Sequence, residues 1–181
     1  MPRLFIALPV PAEVAKRLAR FMSSVTDGWR RVKPDSLHLT LAFLGNVDER
    51  SVGSVGQALH RAAAQVAQFD LSIGGIGGFP TDAKAKVLWA GVRGELSALH
   101  VLHDRLRTEL HAEGFQLEER PYQPHVTVAR SRYPRRVPIH LDPNPVFGEW
   151  LTEEVVLFQS ELTSSGPRYL IRDLAPLHRE A

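Results

Sequence analysis

Two short segments of the chain carry the same arrangement of residue types. The first motif, residues 37–42, is Leu-His-Leu-Thr-Leu-Ala, and the second motif, residues 124–129, is Pro-His-Val-Thr-Val-Ala. Because successive side chains of a β-strand point to opposite faces, the His and Thr of each motif share one face and the aliphatic side chains share the other. A single His-x-Thr occurs easily by chance, whereas two copies in matching apolar frames predict two strands that form two halves of one polar site.

The length and composition indicate one globular domain over residues 1–181, with a core large enough for two lobes. Of the 181 residues, 44% are hydrophobic and 23% are charged, which excludes a disordered chain. The absence of Cys excludes disulfides and thiolate nucleophiles and agrees with a reducing compartment. The apolar run at residues 3–10 is too short to span a bilayer and lacks a cleavage region, so we expect a core strand and a cytoplasmic protein with no membrane partner.

Hydrophobic periodicity divides the chain into strands and helices. Helical spacing predicts helices over residues 12–25, 49–66 and 95–113. Alternation predicts strands over residues 3–10, 37–44, 69–73, 87–92 and 122–130, and a hairpin with arms at 153–163 and 168–175. We expect a loop with a bend or bulge in the Gly-rich residues 74–80, and a Pro- and Arg-rich connection through Pro145. Together these elements predict an α+β fold with mostly antiparallel sheets, a motif strand central in each lobe, and helices on the outer faces.

Basic side chains cluster beside both motifs, although the formal net charge is only +2. The residues before the first motif are Arg30, Arg31 and Lys33, and those after the second are Arg130, Arg132, Arg135 and Arg136. Such clusters attract polyanions, and their position beside the same repeated motif favours a ligand that carries phosphate. The alternative is a solvated surface, which is the usual place of arginine runs.

Further segments in the same order complete a family resemblance. They are residues 3–8, 37–45, 75–80, 87–92, 114–115, 120–130, 160–162 and 166–169. With them the chain resembles the two-histidine phosphoesterases, and within these the bacterial and archaeal RNA 2′,3′-cyclic phosphodiesterases, also called 2′-5′ RNA ligase-like proteins. The resemblance implies a bilobal fold with pseudo-two-fold symmetry, in which two mostly antiparallel sheets carry the motif strands toward a central cleft, and an RNA or related nucleotide as substrate.

The resemblance also implies that no metal or other cofactor takes part. The residues agree, because the chain has neither an HExxH pattern nor Cys, and two isolated His would leave a zinc ion short of ligands. No obligate protein partner is evident from the sequence.

Two imidazoles suit the opening of a cyclic phosphodiester. One takes a proton from the incoming water while the other gives a proton to the departing ribose oxygen. By resemblance His38 is the general acid, His125 is the general base, and the product is a 2′-phosphomonoester. Thr40 and Thr127 would donate hydrogen bonds to the phosphate oxygens as their negative charge grows, and the alternative for both is a structural role in a strand.

Arg130 matches a family position that contacts the phosphate, a task that suits a guanidinium. It follows His125 by an odd number of residues, so an ideal strand would turn it to the opposite face. We therefore expect a bulge or a strand end at residues 129–130. Phe43 holds the matching place in the first motif and suits either base stacking or core packing, and Tyr169 suits either the border of the cleft or a structural role.

The predicted activity is the metal-independent hydrolysis of RNA 2′,3′-cyclic phosphate ends. Weak 2′-5′ ligation would use the same groups in reverse. Two alternatives stay open at this point. One is a phosphodiesterase for small cyclic nucleotides or ADP-ribose cyclic phosphate, and the other is a nucleotide- or RNA-binding module without catalysis.

Overall fold

The computed structural model describes residues 1–138, 140–142 and 144–180. Over these residues the chain forms nine strands and three α-helices. The strands are β1 (Arg3–Pro9), β2 (Trp29–Arg31), β3 (His38–Asn46), β4 (Phe69–Phe79), β5 (Ala85–Gly94), β6 (His125–Arg135), β7 (Val146–Thr152), β8 (Glu154–Thr163) and β9 (Gly166–Pro176). The helices are α1 (Ala12–Phe21), α2 (Val52–Ala64) and α3 (Leu96–Ala112). Residues 139 and 143 fall in the predicted connection through Pro145, and residue 181 ends the predicted domain. All three lie outside the described residues.

The strands pair in the order β7-β4-β5-β6-β3-β1-β8-β9, and β2 pairs with β6 outside this order. Every pairing between these strands is antiparallel. Each half contains a strand, then a helix, then the motif strand that pairs with the first strand. In the first half these are β1, α1 and β3, and in the second half they are β5, α3 and β6. The motif strands meet at the centre through one register pair, Leu39 with Val126. The predicted α+β, bilobal fold is confirmed, and the two predicted sheets are the two halves of one curled sheet. The prediction of a motif strand central in each lobe is wrong, because β3 and β6 form the inner edges of their halves and are central only in the whole sheet.

Helix α3 is anchored by leucines that recur every three or four residues, as the sequence pattern predicts. Its fully buried side chains are Leu99, Leu102, Leu106 and Leu110. Burial of a leucine side chain stabilises a fold by roughly 1.5–3 kcal/mol, so this stripe holds α3 firmly against α2 and the sheet. The flank of α3 that carries His103 and Arg107 is thereby fixed in place.

Four elements differ clearly from the sequence prediction. The strand β6 begins at His125 and runs to Arg135, five residues into the predicted connection. The Gly-rich residues 74–80 do not leave the sheet, because β4 continues to Phe79. The expected bulge is present, since the register with β5 shifts between Ile73 and Ile76. A Cβ at Gly77 would lie 2.2 Å from the Trp89 side chain, so glycine in this strand makes room for the indole. The strands β2 and β7 were not predicted.

Candidate active site

The pair Leu39–Val126 brings the two motifs together at the middle of the sheet. Because His and Thr alternate with these buried residues, both histidines and both threonines lie on one face, where all four are partly exposed. Thr40, His125 and Thr127 line a cleft of about 700 Å³. His38 is not among the residues that line this cleft. It lies close enough to His125 for a positive charge on His125 to lower the pKa of His38.

Each imidazole is held by the backbone of its own segment. His38 Nδ1 lies 2.8 Å from the carbonyl oxygen of Ser36, and His125 Nδ1 lies 2.7 Å from that of Gln123. A carbonyl oxygen only accepts hydrogen bonds, so both Nδ1 atoms carry the proton and donate it. The neutral form of each ring therefore presents an unprotonated Nε2, ready to accept a proton, and either ring donates from Nε2 only as an imidazolium.

Aromatic side chains surround His38. The Phe5 ring lies 4.9 Å from the imidazole, and the Tyr169 ring meets it edge-on at 5.3 Å. Burial lowers the pKa of His38, the charges of Arg130 and His125 lower it further, and the hydrogen bond to Ser36 opposes the shift. The neutral imidazole consequently dominates at neutral pH in the free protein. Tyr169 borders the site, and its own pKa is raised by burial.

His125 has fewer aromatic neighbours among the described residues. The Phe79 ring meets its imidazole edge-on at 4.9 Å. Phe79 also lines the cleft, together with Pro80, Lys86 and Val87. The base predicted from the sequence is therefore the more open of the two imidazoles, and solvent reaches it from the cleft.

A β-bulge follows the threonine in both motif strands. In β3, Thr40 pairs with Ala7 and Ala42 with Ile6, so Leu41 is the extra residue. In β6, Thr127 pairs with Trp89 and Ala129 with Leu88, so Val128 is the extra residue. One extra residue reverses the alternation of faces beyond it.

The bulge at Val128 brings Arg130 back to the face of His125 and Thr127, where it lines the cleft. The sequence predicts such an irregularity at residues 129–130, and the structure has it one residue earlier. By the same geometry Phe43 turns to the cleft in the first motif, with 51% of its surface exposed. The guanidinium of Arg3 lies 5.0 Å from its ring centre. Core packing, the alternative for Phe43, is thereby excluded.

Positive charge dominates the walls of the cleft. Its charged lining residues are Lys86, Arg107, Arg120, Arg130 and Glu118, four cations and one carboxylate. In the part of the chain that the structure describes, no group of three or more His, Asp or Glu side chains could hold a metal ion. Such a cleft attracts an anionic ligand.

Two residues that sequence analysis missed form a wall of the cleft. The Tyr122 hydroxyl donates a hydrogen bond of 2.9 Å to the carbonyl oxygen of Thr40, and burial raises the pKa of Tyr122. The His103 ring stacks on the Tyr122 ring, with centres 4.0 Å apart and planes 6° from parallel. No sequence signal points to this contact, because it joins the flank of an ordinary amphipathic helix to the segment before the second motif.

Comparison with known proteins agrees with this geometry. Residues 10–156 match the family model of the 2′-5′ RNA ligase superfamily, and the chain belongs to that superfamily. A protein of Thermotoga maritima named RNA 2′,3′-cyclic phosphodiesterase is 31% identical over 176 residues, which cover 93% of this chain and 92% of the relative. A protein of the same name from Thermus thermophilus is 33% identical over 185 aligned positions, covering 98% and 91%. Within the superfamily the chain is an enzyme of the RNA 2′,3′-cyclic phosphodiesterase family, and the predicted resemblance is confirmed.

Solved structures share the fold. The crystal structure of TT0787 from Thermus thermophilus has a TM-score of 0.84 and 33% identity, and the match covers 99% of this chain and all of that one. Escherichia coli LigT in complex with 3′-AMP has a TM-score of 0.82 and 26% identity, covering 97% of this chain and 98% of LigT.

None of the helices in the described part of the chain has the length and hydrophobicity needed to cross a bilayer.

Proposed function

We propose that the chain hydrolyses RNA 2′,3′-cyclic phosphate ends to 2′-phosphomonoesters without a metal ion. The observation that carries the proposal is the pair of imidazoles on adjacent motif strands. Each has Nδ1 bound to a carbonyl, and Nε2 has no hydrogen-bond partner among the described residues. The names of the relatives support the substrate, since those proteins are called RNA 2′,3′-cyclic phosphodiesterases.

In the proposed reaction His125 is the general base. Its Nε2 takes a proton from a water molecule, and the water oxygen attacks phosphorus in line with the 3′ oxygen. The bond from phosphorus to the 3′ oxygen breaks, and His38 Nε2 gives its proton to that oxygen. In one turnover His125 gains a proton and His38 loses one. Before the next turnover His125 must release its proton and His38 must take one up.

The surroundings of His38 add a condition to its role as the acid. Its Nε2 carries a proton only in the imidazolium form, which burial and nearby positive charge disfavour in the free protein. A bound phosphodiester brings a negative charge beside the ring and stabilises the imidazolium. The acid is therefore charged mainly when substrate is present. A low pKa by itself would also suit a base, so the direction of the two roles rests on the family pattern.

The proposed phosphate ligands are Thr40, Thr127 and Arg130. The two hydroxyls come from equivalent places before equivalent bulges, so they would approach the phosphate from the two halves of the sheet. The guanidinium of Arg130 would donate to a non-bridging oxygen, which gains negative charge in the pentacoordinate state. Ligation of a cyclic end to a 5′ hydroxyl end as a 2′-5′ bond is the same step with a ribose oxygen in place of water.

The test is incubation of the protein with an oligonucleotide ending in a 2′,3′-cyclic phosphate, in the presence of a chelator. We expect turnover and a 2′-phosphate product. His38→Ala and His125→Ala should each lower turnover by a factor of about 10²–10⁴, whereas His111→Ala, on the exposed end of α3, should retain it. Binding without turnover, a 3′-phosphate product, or near-normal turnover in either variant that remains folded would overturn the proposal.

A further inference from the structure

The cleft extends beyond the two motifs to a wall built from α3 and the segment before β6. This wall carries Arg107, one helical turn after His103, and Arg120, two residues before Tyr122. The cleft volume of about 700 Å³ lies in the upper half of the range usual for small-molecule sites. The cleft is therefore larger than the space that a single phosphate would fill between Thr40, Thr127 and Arg130.

The wall retains positive charge after its internal contacts are counted. Arg107 donates a hydrogen bond of 3.4 Å to the backbone carbonyl of Glu118, which leaves its charge uncompensated by that contact. Arg120 pairs with the Glu118 carboxylate. The wall thus has two guanidiniums and one carboxylate, and that carboxylate pairs with Arg120 alone. The side chains of Arg120 and Glu118 are 80% and 67% exposed, and an ion pair so exposed contributes little, so a phosphate can compete for Arg120.

The wall is held at a fixed place relative to the motifs. The hydrogen bond from Tyr122 to Thr40 ties it to β3, and the stack of Tyr122 on His103 ties it to α3. The exposed ring of Phe43 also lines the cleft, on the same motif strand as Thr40. An anion on Arg107 and Arg120 would therefore lie at a set distance from a phosphate at the motifs.

From this geometry we infer that Arg107 and Arg120 form a subsite for a second phosphate. It binds the phosphodiester on the 5′ side of the nucleotide that carries the cyclic phosphate, and it makes the enzyme select oligonucleotide ends over mononucleotides. The inference rests on the proposed function, since it assumes that the cyclic phosphate lies at the two motifs.

The test compares two substrates, a nucleoside 2′,3′-cyclic phosphate and the dinucleotide with the same cyclic end. The wild type should show a kcat/KM about tenfold or more higher on the dinucleotide. Arg107→Gln combined with Arg120→Gln should remove most of this preference, because it should lower kcat/KM on the dinucleotide far more than on the mononucleotide. Arg105→Gln, an exposed residue of α3 outside the cleft lining, should retain the preference.

A dinucleotide with an uncharged methylphosphonate linkage separates charge from size. The wild type should treat it like the mononucleotide, and the double variant should not distinguish it from the natural dinucleotide. A preference that survives in the folded double variant, that is absent from the wild type, or that persists with the uncharged linkage would overturn the inference. Failure of the proposed function would look different, because neither substrate would turn over.

Discussion

The first and second motifs share a backbone and differ in what surrounds it. Both have a His locked through Nδ1, a Thr two residues later and a bulge immediately after that Thr. Around the first, Phe5 and Tyr169 enclose His38, and the bulge turns Phe43 to the cleft. Around the second, the imidazole is more open, and the bulge turns Arg130 to the cleft. A repeated backbone thus gives two chemically unequal sites, and the inequality arises from the neighbours.

Among substitutions in the two halves, we expect the largest difference in kcat/KM between variants of Arg130 and Phe43, the residues that follow the two bulges. Arg130→Ala should lower kcat/KM on a cyclic-ended oligonucleotide about a hundredfold, because it removes a charged donor to the phosphate. Phe43→Ala should lower it less than tenfold, because at most a stacking contact with a base is lost and the proposed phosphate ligands stay. Arg132→Ala, exposed further along β6, is the matched control. Equal losses in the Arg130 and Phe43 variants would contradict the assigned inequality.

The two threonines should behave alike. Thr40→Val and Thr127→Val each keep the shape of a β-branched side chain and remove one hydroxyl, so each should lower kcat by roughly tenfold to a hundredfold. Thr108→Val on the exposed side of α3 is the control for the substitution itself. A loss in one variant alone would mean that the phosphate does not lie between the two halves.

Tyr122→Phe tests the hydrogen bond between Tyr122 and the Thr40 carbonyl, which has no counterpart at the second motif within the described residues. It removes the hydroxyl that donates to the Thr40 carbonyl, and the free energy of unfolding should fall by about 1 kcal/mol. The value of kcat should fall a few-fold, because Thr40 is less firmly held. Tyr133→Phe, at a tyrosine that is 61% exposed, should change neither quantity. Unchanged stability and unchanged kcat in Tyr122→Phe would show that the bond does not hold the strand.

The enclosure of His38 predicts that its pKa in the folded protein is lower than its pKa in the unfolded chain. An NMR titration should give a pKa for His38 below its ordinary value of 6.5, mainly because burial disfavours the charged ring. Since the folded pKa lies below the unfolded one, the protein should lose stability as the pH falls from 6.5 through the lowered value. Tyr169→Ala admits water to the ring and should move the pKa back toward 6.5. A His38 pKa at or above that of the urea-unfolded chain would contradict this environment.

Much of this molecule is predictable from local patterns. The alternation around His38 and His125 predicts both motif strands, and the leucine spacing of α3 predicts its buried face. The odd spacing from His125 to Arg130, taken with the resemblance that places Arg130 at the phosphate, predicts an irregularity in β6. These features succeed because each depends on residues that are near one another in the sequence.

The remaining features depend on distant partners. The strand β2 has three residues, two of them Arg, and exists because it pairs with β6. The glycines of β4 resemble a loop until Trp89 is seen to fill the space above Gly77. The wall made by His103 and Tyr122 joins residues from two elements whose relative position only the folded chain fixes. Tertiary contacts of this kind leave no periodicity in the sequence.

The pH dependence of kcat/KM in the two single histidine variants tests the unequal roles most directly. With His125→Ala, only the acid remains, and the residual rate should fall as the pH rises because His38 loses its proton. With His38→Ala, only the base remains, and the residual rate should rise with pH because a general base acts only in its unprotonated form. The reverse slopes, or a bell-shaped profile retained in either variant, would contradict the assignment of His38 as acid and His125 as base.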